Sequence, residues 1–265
     1  MKCESCGFRF YNPRLDDGDL QKLYSGYRTE EYRQMRHSTE PWYTAKFNAD
    51  LASEESYRKR RAKLIPILNK HIGDRKISRI LDYGGDRGDL VVGLLEGSEA
   101  FVYDISGIPA AEGVMALADP ATCKADLIIN SNVLEHVGFP RAVVTEILKA
   151  TPVNSLIFLE VPCEQPVGPK RIARRMAQIG LMTLAMPTLA RRMLRPASLY
   201  MMHEHINYFT EESLSGLVRA CGGKVLASGS YFSSGRAGNA DMAWCLGSNP
   251  PIQAADSEGV LCQPS

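Results

Sequence analysis

The sequence has no uninterrupted apolar run of about 18 residues, the length a transmembrane helix needs, and its first residues lack a signal-peptide pattern. It also lacks an excess of charge of one sign. The net charge is +1, so no overall field attracts nucleic acid or an acidic partner. Cysteine is sparse and odd in number, with seven residues scattered apart from one pair, which indicates a reducing compartment. We therefore expect a cytoplasmic protein that does not bind nucleic acid.

The composition is that of a globular protein, 45% hydrophobic and 23% charged over 265 residues. Strand-like and helix-like patterns alternate from 76 to 162, as a parallel sheet with crossovers requires, and a strand hairpin is predicted at 224–246. We therefore predict an α/β fold with a doubly wound, seven-stranded sheet. The strands before the hairpin are predicted at about 77–82, 100–104, 125–130 and 155–162, with a further short strand that should end near 117–119. The domain plan is an N-terminal cap, a main domain and a flexible tail, at 1–49, 50–247 and 248–265.

The segment 79–90 has the pattern of a buried strand, a glycine turn and the start of a helix. Glycines at 84, 85 and 88 let the backbone turn sharply and approach a ligand closely. Leucines and valine recur at helical spacing over 90–95, so the turn is expected to open onto a helix, whose N-terminus favours an anionic group. Before this segment, 53–71 is the best helical stretch, and its basic run at 58–61 is expected to be solvated.

The dinucleotide fingerprint G-x-G-x-x-G is not met, because Asp86 and Asp89 hold its second and third glycine positions. A carboxylate in this loop would repel a pyrophosphate in a partly dry site. S-adenosylmethionine carries a sulfonium, an ammonium and a carboxylate but no phosphate, so it tolerates and can use Asp82 and Asp86. The charge of the loop therefore favours S-adenosylmethionine over NAD.

Two motifs resemble those of the class I S-adenosylmethionine-dependent methyltransferases. The first runs from Asp82-Tyr-Gly84 to Gly88, and the second is D-L-I-I-N-S-N-V-L-E-H-V at 126–137. The resemblance implies a Rossmann-like methyltransferase fold with S-adenosylmethionine as the cofactor. It is closest to the sugar C-methyltransferase-like group that carries an N-terminal C-x-x-C element.

The resemblance also implies roles for the cofactor-binding residues. Asp104 lies 20 residues after Gly84, where an acidic side chain can accept both ribose hydroxyls, a spacing that NAD enzymes share. The other candidate cofactor-binding residues are Asp82, Gly84, Gly85 and Gly88 for the methionyl part, Asp119 for the adenine amino group, and Asn130 and Ser131 at the floor of the site.

A third motif, E-H-I-N-Y-F at 204–209, resembles the E-H-x-x-Y-F element of sugar C-methyltransferases. In that group the Glu-His pair approaches the substrate, which implies His205 as the catalytic base and Glu204 as the residue that fixes its tautomer. Met202 stands where the group has a tyrosine. Histidine suits the task because it exchanges a proton near neutral pH.

The pair Cys3 and Cys6 forms half of a zinc-ribbon site, since a C-x-x-C-G turn presents two thiolates to one tetrahedral ion. The sequence has no second C-x-x-C. His37, a remote cysteine or another subunit would have to complete the ligand shell, and a metal-free remnant is the alternative.

The segment 163–202 exceeds what a minimal fold needs, and it contains seven arginine and lysine residues and six of the ten methionines. We interpret it as a substrate lid, with contact to a membrane surface or to a phosphorylated or lipid-linked substrate as further hypotheses. Packed helices with a solvated basic face are the alternative.

The predicted reaction is methyl transfer to a small-molecule acceptor, a sugar or glycan-type substrate by resemblance. O-methylation of a lipid-linked or other natural product is the nearest alternative. A catalytically silent S-adenosylmethionine-binding module and an NAD-dependent oxidoreductase remain as alternatives of other classes.

Overall fold

A computed structural model describes residues 1–12, 16–24, 29–39, 43–163, 204–235 and 238–251, together with Ala177, Gly180, Thr183 and Leu184. The predicted lid insertion therefore lies outside the described residues, apart from Cys163 and those four, and so does the predicted tail beyond 251. Among the helices that are described, none combines the length and the apolarity needed to cross a membrane.

Nine strands are described, and seven of them form the central sheet. In chain order they are β1 (Arg9–Phe10), β2 (Arg79–Tyr83), β3 (Glu99–Tyr103), β4 (Val114–Ala116), β5 (Leu127–Ser131), β6 (Leu156–Pro162), β7 (Asn207–Tyr208), β8 (Lys224–Gly235) and β9 (Gly238–Ser248). The order across the sheet is β4-β3-β2-β5-β6-β9-β8, with parallel pairing from β4 to β6 and antiparallel pairing of β9 with both of its neighbours. The predicted seven-stranded α/β fold is confirmed.

The central strands are buried on both faces, as their continuous apolar runs predict. Leu81, Ile128 and Ile157 belong to the apolar cluster on one face, whereas Ile80 and Leu127 belong to the cluster on the other. Because successive side chains of a strand point to opposite faces, each of these strands contributes side chains to both clusters.

Six helices are described: α1 (Asp17–Tyr24), α2 (Glu30–Thr39), α3 (Ala45–Leu51), α4 (Glu54–Ile72), α5 (Pro140–Ala150) and α6 (Glu211–Ala220). In α4, Leu64, Leu68 and Ile72 recur every four residues and are buried against one face of the sheet. Helices α5 and α6 cover the opposite face, and Thr210 caps α6 by accepting the N–H of Ser213.

The prediction of a helix after the glycine turn is wrong. Between Gly84 and Gly97 the described chain forms a series of turns. Gly93 and Gly97 have φ of +62° and +75°, which are incompatible with a right-handed helix. Leu90 and Leu94 are nevertheless buried in the core, so the apolar spacing reports packing rather than helix formation. The third strand, Val114–Ala116, ends one residue before the region near 117–119 where its end was predicted.

The N-terminal segment forms a small second sheet with the segment that precedes α6. Strand β1 pairs antiparallel with β7, so that Arg9 faces Tyr208 and Phe10 faces Asn207. Phe8 packs on Phe209 with ring centroids 4.8 Å apart. The C-x-x-C turn and the E-H-I-N-Y-F motif are therefore neighbours in space.

Candidate functional site

The predicted cofactor-binding residues lie along one edge of the central sheet. Asp82 is the penultimate residue of β2, Asp104 directly follows β3, and Asn130 and Ser131 end β5. Because these strands are parallel, their carboxyl ends meet at the same edge, where open α/β sheets bind ligands. Glu160 of β6 pairs with Ser131 at this edge.

The glycine loop has a shape that side chains would destroy. Gly84 and Gly88 have φ of +75° and +76°, and a Cβ on Gly88 would lie 2.8 Å from Val114. A Cβ on Gly85 would lie 2.0 Å from Cγ of Asp82. Glycine at 85 is therefore what lets the Asp82 carboxyl group lie against the loop.

Asp104 joins the glycine loop to the end of β3. Its Oδ2 accepts the backbone N–H of Asp86 at 2.7 Å, and its Oδ1 accepts that of Ser106 at 2.8 Å. Asp86 has φ of 59°, a conformation that aspartate tolerates better than most residues. The carboxylate of Asp104 thus holds the loop in place.

Asp82 is a buried carboxyl group with several acidic neighbours. Burial raises its pKa to about 7, and the charges of Asp104, Asp86 and Asp89 act in the same direction. The guanidinium of Arg60 opposes this shift. This end of β2 is therefore a region of negative potential, which suits a cationic ligand group better than a phosphate.

Asn130 and Ser131 brace this edge from β5. The side-chain amide of Asn130 donates to the backbone carbonyl of Tyr83 at 2.9 Å, which ties β5 to the end of β2. The hydroxyl of Ser131 donates to Glu160 and accepts from Nη2 of Arg60 at 2.7 Å. Tyr231 donates to the other carboxylate oxygen of Glu160.

Four polar residues of this region were missed from the sequence. Arg60 and Arg61 were expected to be solvated, but Arg60 reaches Ser131 and Arg61 donates to the carbonyl of Asp89 at 2.7 Å. Glu160 had a usable signal, since it is a single carboxylate within an apolar strand that is buried on both faces. Nothing in the sequence around Tyr231 indicated its role, because its partner Glu160 lies 71 residues away in the chain.

Asp119 lies apart from this network, three residues beyond β4. Its side chain is exposed and accepts the N–H of Ala121 at 2.9 Å, so it caps the 3-10 helix Pro120–Cys123. A role toward adenine stays a prediction.

The second predicted cluster centres on Glu204 and involves the N-terminal cap. Oε1 of Glu204 lies 2.8 Å from Nη1 of Arg36 in α2, and both side chains are 6% exposed. The Arg36 guanidinium also lies over the ring of Tyr43, 3.8 Å from its centroid. Burial raises the pKa of Glu204 to about 7, while charge on His205 and the adjacent guanidinium favour the carboxylate.

His205 is buried and packs edge-to-face on His136, with ring centroids 4.8 Å apart. Nδ1 of His136 donates to the backbone carbonyl of Glu204 across 3.2 Å. Burial lowers the pKa of His136 to about 3, so this ring is neutral. Among the described contacts, the Glu204 carboxylate meets Arg36, so its predicted control of the His205 tautomer stays a prediction.

The segment that carries His136 also touches the glycine loop. A Cβ on Gly84 would lie 2.7 Å from Cγ2 of Val133, so the chain after β5 runs beside the loop. The same segment is tied to the E-H-I-N-Y-F motif, because the carbonyl of Glu135 accepts the N–H groups of Ile206 and Asn207. The loop and the histidine pair therefore belong to one continuous region.

The C-x-x-C turn forms as predicted, with the N–H of Gly7 donating to the carbonyl of Cys3 at 2.9 Å. Hydrogen bonding from Ser5 lowers the pKa of Cys3 to about 6, which favours a thiolate. Within the described part of the chain, no third histidine, cysteine or carboxylate comes close enough to complete a metal site with Cys3 and Cys6. Zinc at this turn stays a prediction.

Comparisons with known proteins identify the family of this chain. The model of a family described as "Methyltransferase domain" matches residues 51–228. A comparison with curated proteins gives no match.

Several solved structures are similar to this chain. The 1,6-didemethyltoxoflavin-N1-methyltransferase of Burkholderia thailandensis, solved with 1,6-didemethyltoxoflavin and S-adenosylhomocysteine, is 15% identical with a TM-score of 0.55, over 94% of this chain and 97% of that one. The magnesium protoporphyrin IX methyltransferase of Synechocystis PCC 6803, solved with S-adenosylmethionine, is 14% identical with a TM-score of 0.47, over 89% and 99% of the two chains. At these identities the likeness concerns the fold, and only the first TM-score is high enough to support it.

Proposed function

The chain belongs to the methyltransferase-domain family, and from that premise we propose that it transfers a methyl group from S-adenosylmethionine to a small-molecule acceptor. The observation that carries the proposal is the set of carboxyl groups around the glycine loop. Asp82 and Asp104 both lie against the loop, where a pyrophosphate would meet negative charge.

The residues present fit a sulfonium nucleoside. Gly84, Gly85 and Gly88 let the loop pack tightly on the side chains beside it, and we assign this loop as the backbone cradle of the methionyl part. Asp82 offers a buried acceptor for the ammonium of that part. We assign the ribose hydroxyls to Asp104, and the floor of the cradle to Asn130 and Ser131.

When bound, S-adenosylmethionine would supply a methyl group on a sulfonium, so that the acceptor's in-line attack forms the bond to the methyl carbon while the carbon–sulfur bond breaks and its electron pair passes to sulfur. The chain has to align the acceptor and take up the proton that the acceptor releases. We assign that proton to the imidazole of His205. The neutral His136 ring beside it imposes no competing charge on this step.

We propose a sugar or glycan-type acceptor, since Glu204, His205, Tyr208 and Phe209 match the element of sugar C-methyltransferases. A histidine base serves a hydroxyl or an enolisable ketone equally well, so both O- and C-methylation are included. A phosphorylated or lipid-linked acceptor, or contact with a membrane surface, rests on the basic composition of 163–202, whose arginine and lysine residues lie outside the described residues.

The test is turnover with a panel of free and nucleotide-linked sugars, read as S-adenosylhomocysteine release by mass spectrometry. We expect His205→Gln to lower kcat by about 10²- to 10⁴-fold, the usual contribution of a general base. His71→Gln, a change on α4 beside Trp244, is the matched control and should keep full activity. Full turnover by His205→Gln would contradict the base, and no transfer to any sugar would contradict the acceptor class.

A further inference from the structure

Three side chains that commonly bind metals meet between the segment after β5 and the segment before β7. Glu135, His136 and His205 each offer one ligand atom, and these atoms all lie within 4.8 Å of one another. We propose that the three side chains bind one divalent transition-metal ion of the zinc type. This cluster is separate from the C-x-x-C turn and shares no residue with the glycine loop.

The spacing of the cluster is close to that of a bound site. An ion can stand within about 2.8 Å of three atoms that are at most 4.8 Å apart, so shifts of under about 1 Å would reach the 2.0–2.2 Å bonds of zinc to imidazole and carboxylate. Side-chain torsions alone can supply such shifts. The backbone around the cluster is held by the hydrogen bonds from Ile206 and Asn207 to the carbonyl of Glu135.

One ligand is already oriented as metal-binding histidines are. A carbonyl can only accept, so Nδ1 of His136 carries the hydrogen that it donates to the carbonyl of Glu204 at 3.2 Å. The lone pair of this ring is therefore on Nε2, which lies 3.8 Å from Oε1 of Glu135. A backbone carbonyl that fixes the second ring nitrogen is the usual outer partner of a histidine ligand.

The charges nearby also suit a cation. Glu135 and Glu204 supply two buried carboxyl groups, and the one buried guanidinium described beside them, Arg36, is paired with Glu204 at 2.8 Å. A dication bound there would lie beside the buried Glu135 carboxylate and gain two imidazole ligands. His136, whose side chain is 22% exposed, provides access from solvent.

The ligand set selects the kind of metal. Two imidazoles and one carboxylate suit zinc, iron, cobalt or nickel, whereas magnesium and calcium prefer oxygen ligands alone. Three protein ligands leave coordination positions open for water or for a polar group of an acceptor.

The site has a consequence for catalysis that rests on the proposed function. A ring nitrogen of His205 that binds a metal cannot take up a proton, so the metal-loaded protein should lose the histidine base. Methyl transfer is therefore expected to be faster in chelator than with one equivalent of Zn²⁺.

The experiment that tests the site is titration with Co²⁺, read by its visible ligand-field absorption and independent of any methyl transfer. It uses the full chain carrying Cys3→Ser and Cys6→Ser, so that the C-x-x-C turn cannot contribute. We expect saturation at one equivalent, no thiolate charge-transfer band, displacement by Zn²⁺ and no displacement by excess Mg²⁺.

Variants in the same background locate the ion. The isosteric Glu135→Gln and the variant His136→Gln should each weaken Co²⁺ binding by at least about 100-fold. Loss of a residue that only hydrogen-bonds a metal ligand already lowers metal affinity by up to about 100-fold, so loss of a ligand itself should lower it at least as much. His71→Gln should bind as the parent does. Circular dichroism and the unfolding midpoint establish that each variant is folded, and Glu135→Gln keeps the test valid should His136→Gln not fold.

Failure to saturate at one equivalent, or a spectrum that neither variant alters, would overturn the metal site. Methyl transfer in chelator would be untouched by that result. Conversely, metal binding without any methyl transfer would overturn the proposed function and leave the site standing.

Discussion

Arg36 and Glu204 form a buried ion pair, with Nη1 and Oε1 2.8 Å apart, although 168 residues separate them in the chain. Through this pair α2 of the N-terminal cap reaches the motif that carries His205. Tyr43 completes the arrangement by lying under the guanidinium. The cap is therefore part of the candidate active site rather than a peripheral addition.

Removal of Arg36 should destabilise the protein strongly. We expect Arg36→Met to cost about 3–5 kcal/mol of unfolding free energy, since it leaves the Glu204 carboxylate buried without its cation. The measurement is urea unfolding at pH 8, where the carboxylate has most need of a partner. Arg33→Met is the matched control on the same helix, because Arg33 pairs with the exposed Glu30. Equal losses in the two variants would count against the buried pair.

Asp82 should make stability fall as pH rises. Its pKa is raised from 3.8 to about 7, so between these values the folded protein keeps a proton that the unfolded chain has released. From pH 5 to pH 8 the parent should therefore lose on the order of 2 kcal/mol more than Asp82→Asn, which cannot ionise. Urea unfolding at the two pH values measures this difference. The exposed Asp119→Asn should behave as the parent, and parallel pH dependence in all three proteins would refute a raised pKa at Asp82.

Gly85→Ala should disrupt the loop through one identified contact. The new Cβ would lie 2.0 Å from Cγ of Asp82, so we expect a cost of about 1–3 kcal/mol. In an Asp82→Ala background the same substitution should cost clearly less, because the clashing group is gone. A double-mutant cycle from denaturant unfolding measures this coupling.

The matched control for that cycle is Gly216→Ala in α6, where a Cβ meets nothing within 4 Å. It should stabilise the helix by about 0.5–1 kcal/mol. Strictly additive effects of Gly85→Ala and Asp82→Ala would show that the two residues do not touch.

Tyr231 should matter for stability through Glu160. We expect Tyr231→Phe to cost about 1–3 kcal/mol, because one oxygen of a buried carboxylate loses its donor. Tyr11→Phe, at an exposed tyrosine that pairs with Tyr208, should change the unfolding free energy little. Thermal unfolding of both variants makes the comparison, and an unaffected Tyr231→Phe would argue against the network.

The sheet could be predicted from sequence because its signal is local. Strands such as Leu127–Ser131 are short apolar runs that end in polar residues, and these ends meet at one edge by the geometry of parallel pairing. The helix expected after the glycine loop failed for an equally local reason. Apolar spacing over 90–95 predicts a helix, but the positive φ of Gly93 and Gly97 turns the chain instead.

The rest of the site depends on contacts between distant segments. Arg60 belongs to a basic run that is typical of a solvated helix face, and only its distance to Ser131 shows that it points inward. The pairing of β1 with β7 joins residues almost 200 positions apart. No pattern within either segment encodes such a partner, so these contacts had to be found in the structure.

The central claim is that the glycine loop binds a sulfonium nucleoside and that Asp104 holds its ribose. The most direct test is isothermal titration calorimetry with S-adenosylmethionine and with NAD. It compares the parent with Asp104→Ala and with the control Glu96→Ala, since Glu96 is an exposed carboxylate on the turns after the loop. We predict binding of S-adenosylmethionine but not NAD by the parent, a loss of affinity of about 10- to 100-fold in Asp104→Ala, and none in Glu96→Ala. Binding of NAD in preference, or equal affinity of the parent and Asp104→Ala for S-adenosylmethionine, would contradict the account.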